Sequence, residues 1–485
     1  MAGWARRKAI ETTLRREAGR SLTPRLSWPH LVALGVGSII GTGIYTLTGV
    51  GADRAGPGVV LAFAIAGAVC VCAALAYAEL ATLLPAAGSA YTYVYTALGE
   101  VLAWVIGWSM ALEYLLGASG VAVGWSAHLI DWLHPLGIVV PHWMMAGPMA
   151  GGVINLPAVG VALAIALLLT FGVSESATIN IALVAIKLVA LTAFVILTAP
   201  AIKAQNFHPL MPYGFSSHVE GGMQRGVMAA ASLVFFAFYG FDAVSTAAEE
   251  AKRPARDLTI GLLGSLAVCT VIYMAVSASA VGAIPFTKFA KSEAPLVEVL
   301  RQLGHMNASV WIAGAALVAL PSVILVDMYA QSRIFFGMSR DGLLPRSLSQ
   351  VNSKLGTPVV MTLLTGVFVA VVAGLAPLDR IAEVANSGTL AAFTAVAVAM
   401  IVLRVQRPDL PRVFKCPAWW LVGPLAIAGC IYLFISLPLT TKLMFVGWNV
   451  IGLGAYFAFG FWNSRVGKGL DLEPVDPARV ASGER

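Results

Sequence analysis

Hydrophobicity in this chain arrives in blocks. Twelve apolar runs lie near residues 30–52, 58–84, 99–130, 154–171, 178–199, 226–248, 259–283, 307–333, 358–375, 379–403, 419–437 and 443–463. A bilayer core takes about 20 apolar residues in helical form. In lipid every backbone polar group must be paired internally, and runs of this length meet that demand as helices. An all-α polytopic membrane protein with 12 transmembrane helices is therefore expected. Only 11% of the residues are charged and 59% are hydrophobic, which excludes an ordinary soluble enzyme or a nucleic-acid-binding domain.

The basic residues orient the runs. A cytoplasmic N-terminus places 22 of the 31 lysines and arginines inside, eight outside, and one, Lys187, within a span. That asymmetry follows the positive-inside rule with both termini cytoplasmic, in the cell membrane. Residues 1–28 form a basic tail with no apolar core preceding a cleavage site, so no cleaved signal is expected. The five cysteines mostly fall in apolar spans and carry neither disulfide nor metal spacing. His134 and His142, in the outside loop 131–153, have no ligand companions and are read as interfacial. No cofactor is expected.

The first run contains Gly35-Val36-Gly37-Ser38-Ile39-Ile40-Gly41-Thr42-Gly43-Ile44-Tyr45, with four glycines in nine residues. Each glycine weakens a helix interior by roughly 0.5–1 kcal/mol relative to alanine. Broken backbone in a membrane survives only where protein buries it or where it lines a cavity. The alternative reading is a seam for close helix packing, because Gly37 and Gly41 have Gly-x-x-x-Gly spacing. A second interruption follows about 200 residues later in Phe235-Phe236-Ala237-Phe238-Tyr239-Gly240-Phe241-Asp242. Two interrupted spans in corresponding places point to the binding site of a secondary transporter, where half-helix N-termini meet an anion and freed carbonyls meet a cation. A zwitterionic amino acid offers both charges. Spans 1–5 and 6–10 have opposite topology, so the chain divides into a first repeat at 29–199, an inverted second repeat at 225–405, two further helices at 418–463 and a tail at 464–485.

Gly37-Ser38-Ile39-Ile40-Gly41-Thr42-Gly43-Ile44 resembles the signature of the amino acid–polyamine–organocation superfamily. Its cationic amino acid transporter branch is similar at Gly240-Phe241-Asp242-Ala243-Val244-Ser245-Thr246, at Glu249-Glu250-Ala251-Lys252-Arg253-Pro254, at Ser339-Arg340-Asp341-Gly342-Leu343-Leu344-Pro345 and at Pro408-Asp409-Leu410-Pro411-Arg412. The resemblance covers residues 25–463. It implies a five-plus-five inverted repeat of the leucine-transporter type, with discontinuous helices 1 and 6, and transport of neutral or cationic L-amino acids.

The resemblance also implies site residues. The substrate carboxylate is expected at Ile39, Gly41, Thr42 and Gly43, where half-helix N–H groups bind an anion without a side-chain charge. Carbonyls of Phe236, Ala237 and Tyr239 are expected to receive the α-amino group, with Phe236 also implied as a gate. In proton-coupled members a lysine stands where sodium binds in others, which makes Lys187 the implied proton-coupling residue; the alternative is a lysine snorkelling to the cytoplasmic face. Glu113 either pairs with a substrate cation or is a protonated structural group. Asp327 departs from the family pattern, which is apolar or small there, and is read as lining the side-chain end of the pocket or as a water-reached carboxylate. Asp242, Glu249 and Glu250 form a solvated rim or pair with Lys252, Arg253, Arg333 and Arg340.

Amino acid:proton symport by alternating access is the expected function, with lipid, amino acid and proton as partners and no nucleic acid; an accessory membrane subunit is left open. Exchange on the same fold and a transporter-like sensor are the alternatives. The latter is disfavoured by tails of about 25 residues, too short for a domain. No Gly-x-Ser-x-Gly, His-Glu-x-x-His or P-loop run is present, so an enzyme is not expected.

Overall fold

The computed structural model describes residues 6–8, 26–84, 88–138, 140–171, 177–246, 251–345 and 359–469. It is a helical bundle. The first apolar run forms α1 (Trp28–Ile39), α2 (Thr42–Tyr45) and α3 (Leu47–Ala55), followed by α4 (Val59–Leu83). The short α5 (Ser89–Ala97) leads into α6 (Glu100–Leu133), then α7 (Leu156–Thr170) and α8 (Ala177–Thr198). A two-stranded antiparallel hairpin, β1 (His218–Glu220) and β2 (Met223–Arg225), turns at Gly221-Gly222 and adds a small sheet to the expected all-α chain. Next come α9 (Val227–Val234), a tight turn over Phe235–Phe238, α10 (Ala243–Thr246), α11 (Pro254–Ala283), α12 (Pro295–Gln302) and α13 (Met306–Arg340). The chain closes with α14 (Val359–Leu375), α15 (Leu378–Gln406), α16 (Trp419–Ile435) and α17 (Leu439–Ala455).

Among the described residues eight segments are long and apolar enough to cross a membrane, and four apolar helices are shorter: α1, α7, α14 and α16. The outward faces of α8, α14, α16 and α17 carry exposed Ile, Leu, Val and Trp, while the bundle interior is rich in alanine, glycine and aromatics. This is a multi-pass membrane protein. Small residues let helices approach closely where no hydrophobic force drives them together. Pro321 inside α13 has no N–H to offer Leu317, and the Trp125 indole of α6 donates to that carbonyl instead at 2.9 Å.

Buried ion pairs tie the two ends. At one end Glu79 of α4 accepts from Nε and Nη2 of Arg404, each at 2.6 Å, from Nε of Arg412 at 3.1 Å and from the backbone N–H of Cys416 at 2.8 Å. At the same end Asp341, just beyond α13, accepts from Lys8 Nζ at 3.0 Å and from the Tyr91 hydroxyl at 3.0 Å. At the other end Arg54 of α3 meets Glu383 of α15 at 2.6 Å, and Thr441 of α17 donates to the same carboxylate at 3.1 Å. Forked, fully bonded carboxylates of this kind are the strong form of the interaction.

Candidate functional site

The first run loses its helix at Ile40 and Gly41. Ile40 N–H still bonds to Val36, Gly41 N–H turns back onto Ile39 O at 2.9 Å, and the backbone restarts helical at Thr42. The second run breaks over Tyr239–Asp242, where Gly240 has φ +99°, a conformation that favours glycine. The two breaks touch. A Cβ placed on Gly43 would lie 2.3 Å from Cα of Ala237, and one on Gly240 would lie 3.0 Å from Cβ of Ser38. The glycines are thus needed for approach as well as for the interruption.

Breaking a helix frees carbonyls, and each must find a donor. Lys187 of α8 is fully buried and donates from Nζ to Gly37 O at 2.7 Å; Ser322 Oγ of α13 lies 3.5 Å away. A cation suits the negative end of a half-helix. The lysine therefore points to the break and does not snorkel. The Tyr273 hydroxyl of α11 donates to Ile39 O at 2.7 Å. Asn386 of α15 donates to Ser232 O at 2.8 Å and to Leu233 O at 3.0 Å, the carbonyls freed beside the second break. Tyr273 and Asn386 were not foreseen from sequence. For Tyr273 the available signal was a lone polar group within an apolar run; Asn386 is one of several polar residues in its stretch.

The remaining expected residues gather around the same two breaks. Gly41 faces Val121 and Val323, Thr42 Oγ1 reaches Val121 O at 3.4 Å and Thr42 packs on Gly124. Phe236 stacks on Tyr239 with ring centroids 5.8 Å apart, and Tyr239 lies against Gly117 and the Tyr114 ring. Phe236 O is already used by Tyr239 N–H at 3.3 Å, and Gly41 N–H by Ile39 O. Also at the contact are the N–H groups of Thr42 and Gly43, which open α2 and so have no partner within that helix, and the carbonyl of Ala237. Every one of these side chains is at most 4% exposed, so the region is occluded.

Three carboxyl groups share this interior. Glu113 is fully buried with neither oxygen bonded, beside Thr389. Asp327 is 1% exposed with Oδ2 unbonded, near Tyr239 and Lys187. Asp242 corrects the expectation of a solvated rim: it is fully buried and accepts from the Tyr114 hydroxyl at 2.6 Å. It makes no ion pair with Lys252, Arg253, Arg333 or Arg340 among the described residues. Glu249 and Glu250 lie outside the described residues. No group of three or more metal-ligating side chains occurs among the described residues.

Comparison with known proteins settles the lineage. The profile of the amino acid permease family matches residues 26–460. The chain belongs to that family. This permease is 44% identical over 470 residues to the branched-chain amino acid permease BcaP of Bacillus subtilis, covering 95% of this chain and 98% of that protein. It is 38% identical to the methylthioribose transporter of the same bacterium, over 96% of this chain and all of that protein. It is 34% identical to the vacuolar cationic amino acid transporter 4 of Arabidopsis thaliana, over 84% of this chain and 68% of that protein. The permease is a transporter, not an enzyme.

Proposed function

We propose that this permease is a proton-coupled amino acid symporter of the cell membrane, working by alternating access with both termini cytoplasmic. Twelve spans form a five-plus-five inverted repeat, with the helix 1 break at Ile40–Gly41 facing the helix 6 break at Tyr239–Asp242. The substrate carboxylate binds the N–H groups of Thr42 and Gly43, and the α-ammonium binds carbonyls of the Phe236–Tyr239 turn. Ile39 and Gly41 shape that pocket, Phe236 closes over it, and Glu113 and Asp327 border it. Lys187 carries the coupling proton. The observation that supports this reading best is the buried Lys187 ammonium 2.7 Å from Gly37 O, at the negative end of the half-helix whose other side is the substrate site. Occupation of that place by a cation argues for a proton rather than sodium as coupling ion.

Proteoliposomes with an acid exterior and no sodium test the proposal. Labelled leucine and alanine are expected to accumulate above the external concentration, and collapse of the pH gradient is expected to abolish accumulation. Uptake that ignores the gradient but requires internal amino acid overturns symport in favour of exchange. Asp327 supplies a second prediction. Val121 and Val323 give the pocket apolar walls near Gly41, and Asp327 follows Val323 by about one helical turn of α13. Asp327→Met is expected to weaken competition by arginine or lysine roughly tenfold, about 1.4 kcal/mol, while leaving leucine within about twofold. Equal losses for both substrates would exclude a selectivity role.

A further inference from the structure

His128 of α6 closes the run Gly124-Trp125-Ser126-Ala127-His128 and is fully buried. Its Nδ1 lies 2.7 Å from Gly124 O, one turn back in the same helix. A carbonyl oxygen only accepts, so Nδ1 carries a hydrogen whether the ring is neutral or charged. The charge of the ring is therefore decided at Nε2. That atom is buried and has no hydrogen-bond partner. A phenyl ring would fill the same space without leaving a polar atom unpaired, so packing alone does not account for an imidazole here.

The ring reaches the helix 1 break from two directions. Gly124, whose carbonyl it holds, is the residue on which Thr42 packs: a Cβ on Gly124 would lie 2.2 Å from Thr42 Cγ2. The ring also meets Tyr45 edge to face, with centroids 5.7 Å apart and planes at 88°. Thr42 opens α2 and Tyr45 closes it. His128 thus bears on both ends of the single turn that carries the N–H groups of Thr42 and Gly43. Thr46 and Ala127, next in sequence to Tyr45 and His128, line a cavity of about 250 Å³, which places the ring one residue behind a space that admits water.

Few charged groups surround the ring. On α6 itself Asp131 follows three residues later and is held by Arg301 of α12 at 2.6 Å. Glu293 of the α11–α12 connection and His142 stand near Asp131. At the start of α15 are Asp379, and Glu383 held by Arg54 at 2.6 Å. From the first span the facing group is Tyr45, whose hydroxyl has no hydrogen-bond partner. α13 carries no charged residue from Met306 to Val326, and α7 carries none. His128 makes no ion pair among the described residues. A charge at Nε2 is thus left to be complemented by an anion at Thr42 and Gly43.

We infer that His128 is a second proton-binding residue of the permease, one that sets substrate affinity. A proton from the outer solution adds to Nε2 and takes the ring from neutral to singly positive. The cationic ring draws the substrate carboxylate to Thr42 and Gly43, on the turn that it abuts. It is a positioning residue, acting through α2 and through its field without touching the substrate. Linkage makes the effect reciprocal: bound substrate holds the proton on the ring by the same factor. The permease then binds substrate more tightly on the acid side of the membrane, by a means separate from Lys187. The inference rests on the proposed function for the place of the carboxylate and for the acid exterior.

Nuclear magnetic resonance of the full-length protein in nanodiscs tests it. Of the seven histidines the others are not buried, and replacing them with glutamine leaves His128 as the single imidazole. The ring is expected to titrate between about pH 5 and pH 8. At a fixed pH within that change, leucine is expected to move the ring signal towards its protonated position. A ring that stays neutral throughout, or that leucine does not move, overturns the inference. Leucine affinity gives a second reading. His128→Asn keeps a donor where Nδ1 stood and takes up no proton. The unmodified protein is expected to bind leucine more tightly as the pH falls. His128→Asn is expected to lose roughly five- to tenfold of that gain and to match the unmodified protein within about twofold at the alkaline end. Lys187 contributes alike to both proteins, so the difference reads His128. An equal gain, or a loss of affinity that is the same at both ends, overturns the inference. The two measurements use different variants, so misfolding of one leaves the other to decide. Leucine counterflow by the unmodified protein reads the proposed function separately. A ring moved by leucine without counterflow would sink transport and keep the inference, and counterflow with an unmoved ring would do the reverse.

Discussion

Lys187→Met is expected to reduce pH-driven leucine accumulation to simple equilibration while counterflow of leucine persists at a reduced rate. The lysine has two separable properties. As a donor it satisfies Gly37 O, and as an acid it exchanges a proton. Methionine removes both. Lys187→Arg separates them, because a guanidinium donates hydrogen bonds but does not deprotonate in proteins. Arginine is therefore expected to keep more of the counterflow than methionine and to accumulate no more. Concentrative uptake by Lys187→Arg at the wild-type level would show that the residue only caps a broken helix. Paired measurement of accumulation and counterflow distinguishes the cases without reference to expression level.

Gly43→Val is expected to abolish uptake in both directions, and Gly43→Ala to lower it at least tenfold. The atom that a new Cβ meets at 2.3 Å is the Cα of Ala237, part of a backbone that is itself packed on all sides. No side-chain rotation relieves such a contact. Overpacking a well-filled interior costs typically 1–3 kcal/mol even where some relaxation is available. Ala237→Gly in the same chain is expected to restore only part of the loss, since it removes the side-chain carbon and leaves Cα in place. Gly160→Ala is the control, because nothing stands within 4 Å of its added carbon. Thermal unfolding of the purified variants checks whether the loss lies in folding or in transport. Unimpaired uptake by Gly43→Ala would mean that the two breaks separate in the working protein.

What could be read before the structure was whatever lipid forces to be local. An apolar run must satisfy its own backbone, so its length and its glycines reveal a helix and its interruption without knowledge of any neighbour. That logic led to Gly41, Gly43 and Gly240, and the charged residue inside a run led to Lys187 and Glu113; Asp327 came from its departure from the family pattern. The donors that make the interruptions tolerable were not legible in the same way. Tyr273 reaches Ile39 across 234 residues of chain, and Asn386 reaches Ser232 across 154. Asp242 was misplaced because its burial depends on the Tyr114 hydroxyl, 128 residues distant.

The contacts between the two interrupted spans have a mechanical consequence. They meet at Gly43 and Ala237, and again where Gly226 N–H donates to Arg54 O at 2.9 Å and Arg225 donates to Asp53 O at 2.9 Å. Two bodies pinned at two separated points retain one relative freedom, rotation about the line through the pins. The outer halves of these spans are therefore expected to travel together as a single leaf, with rotation about that line as the one motion either can make alone.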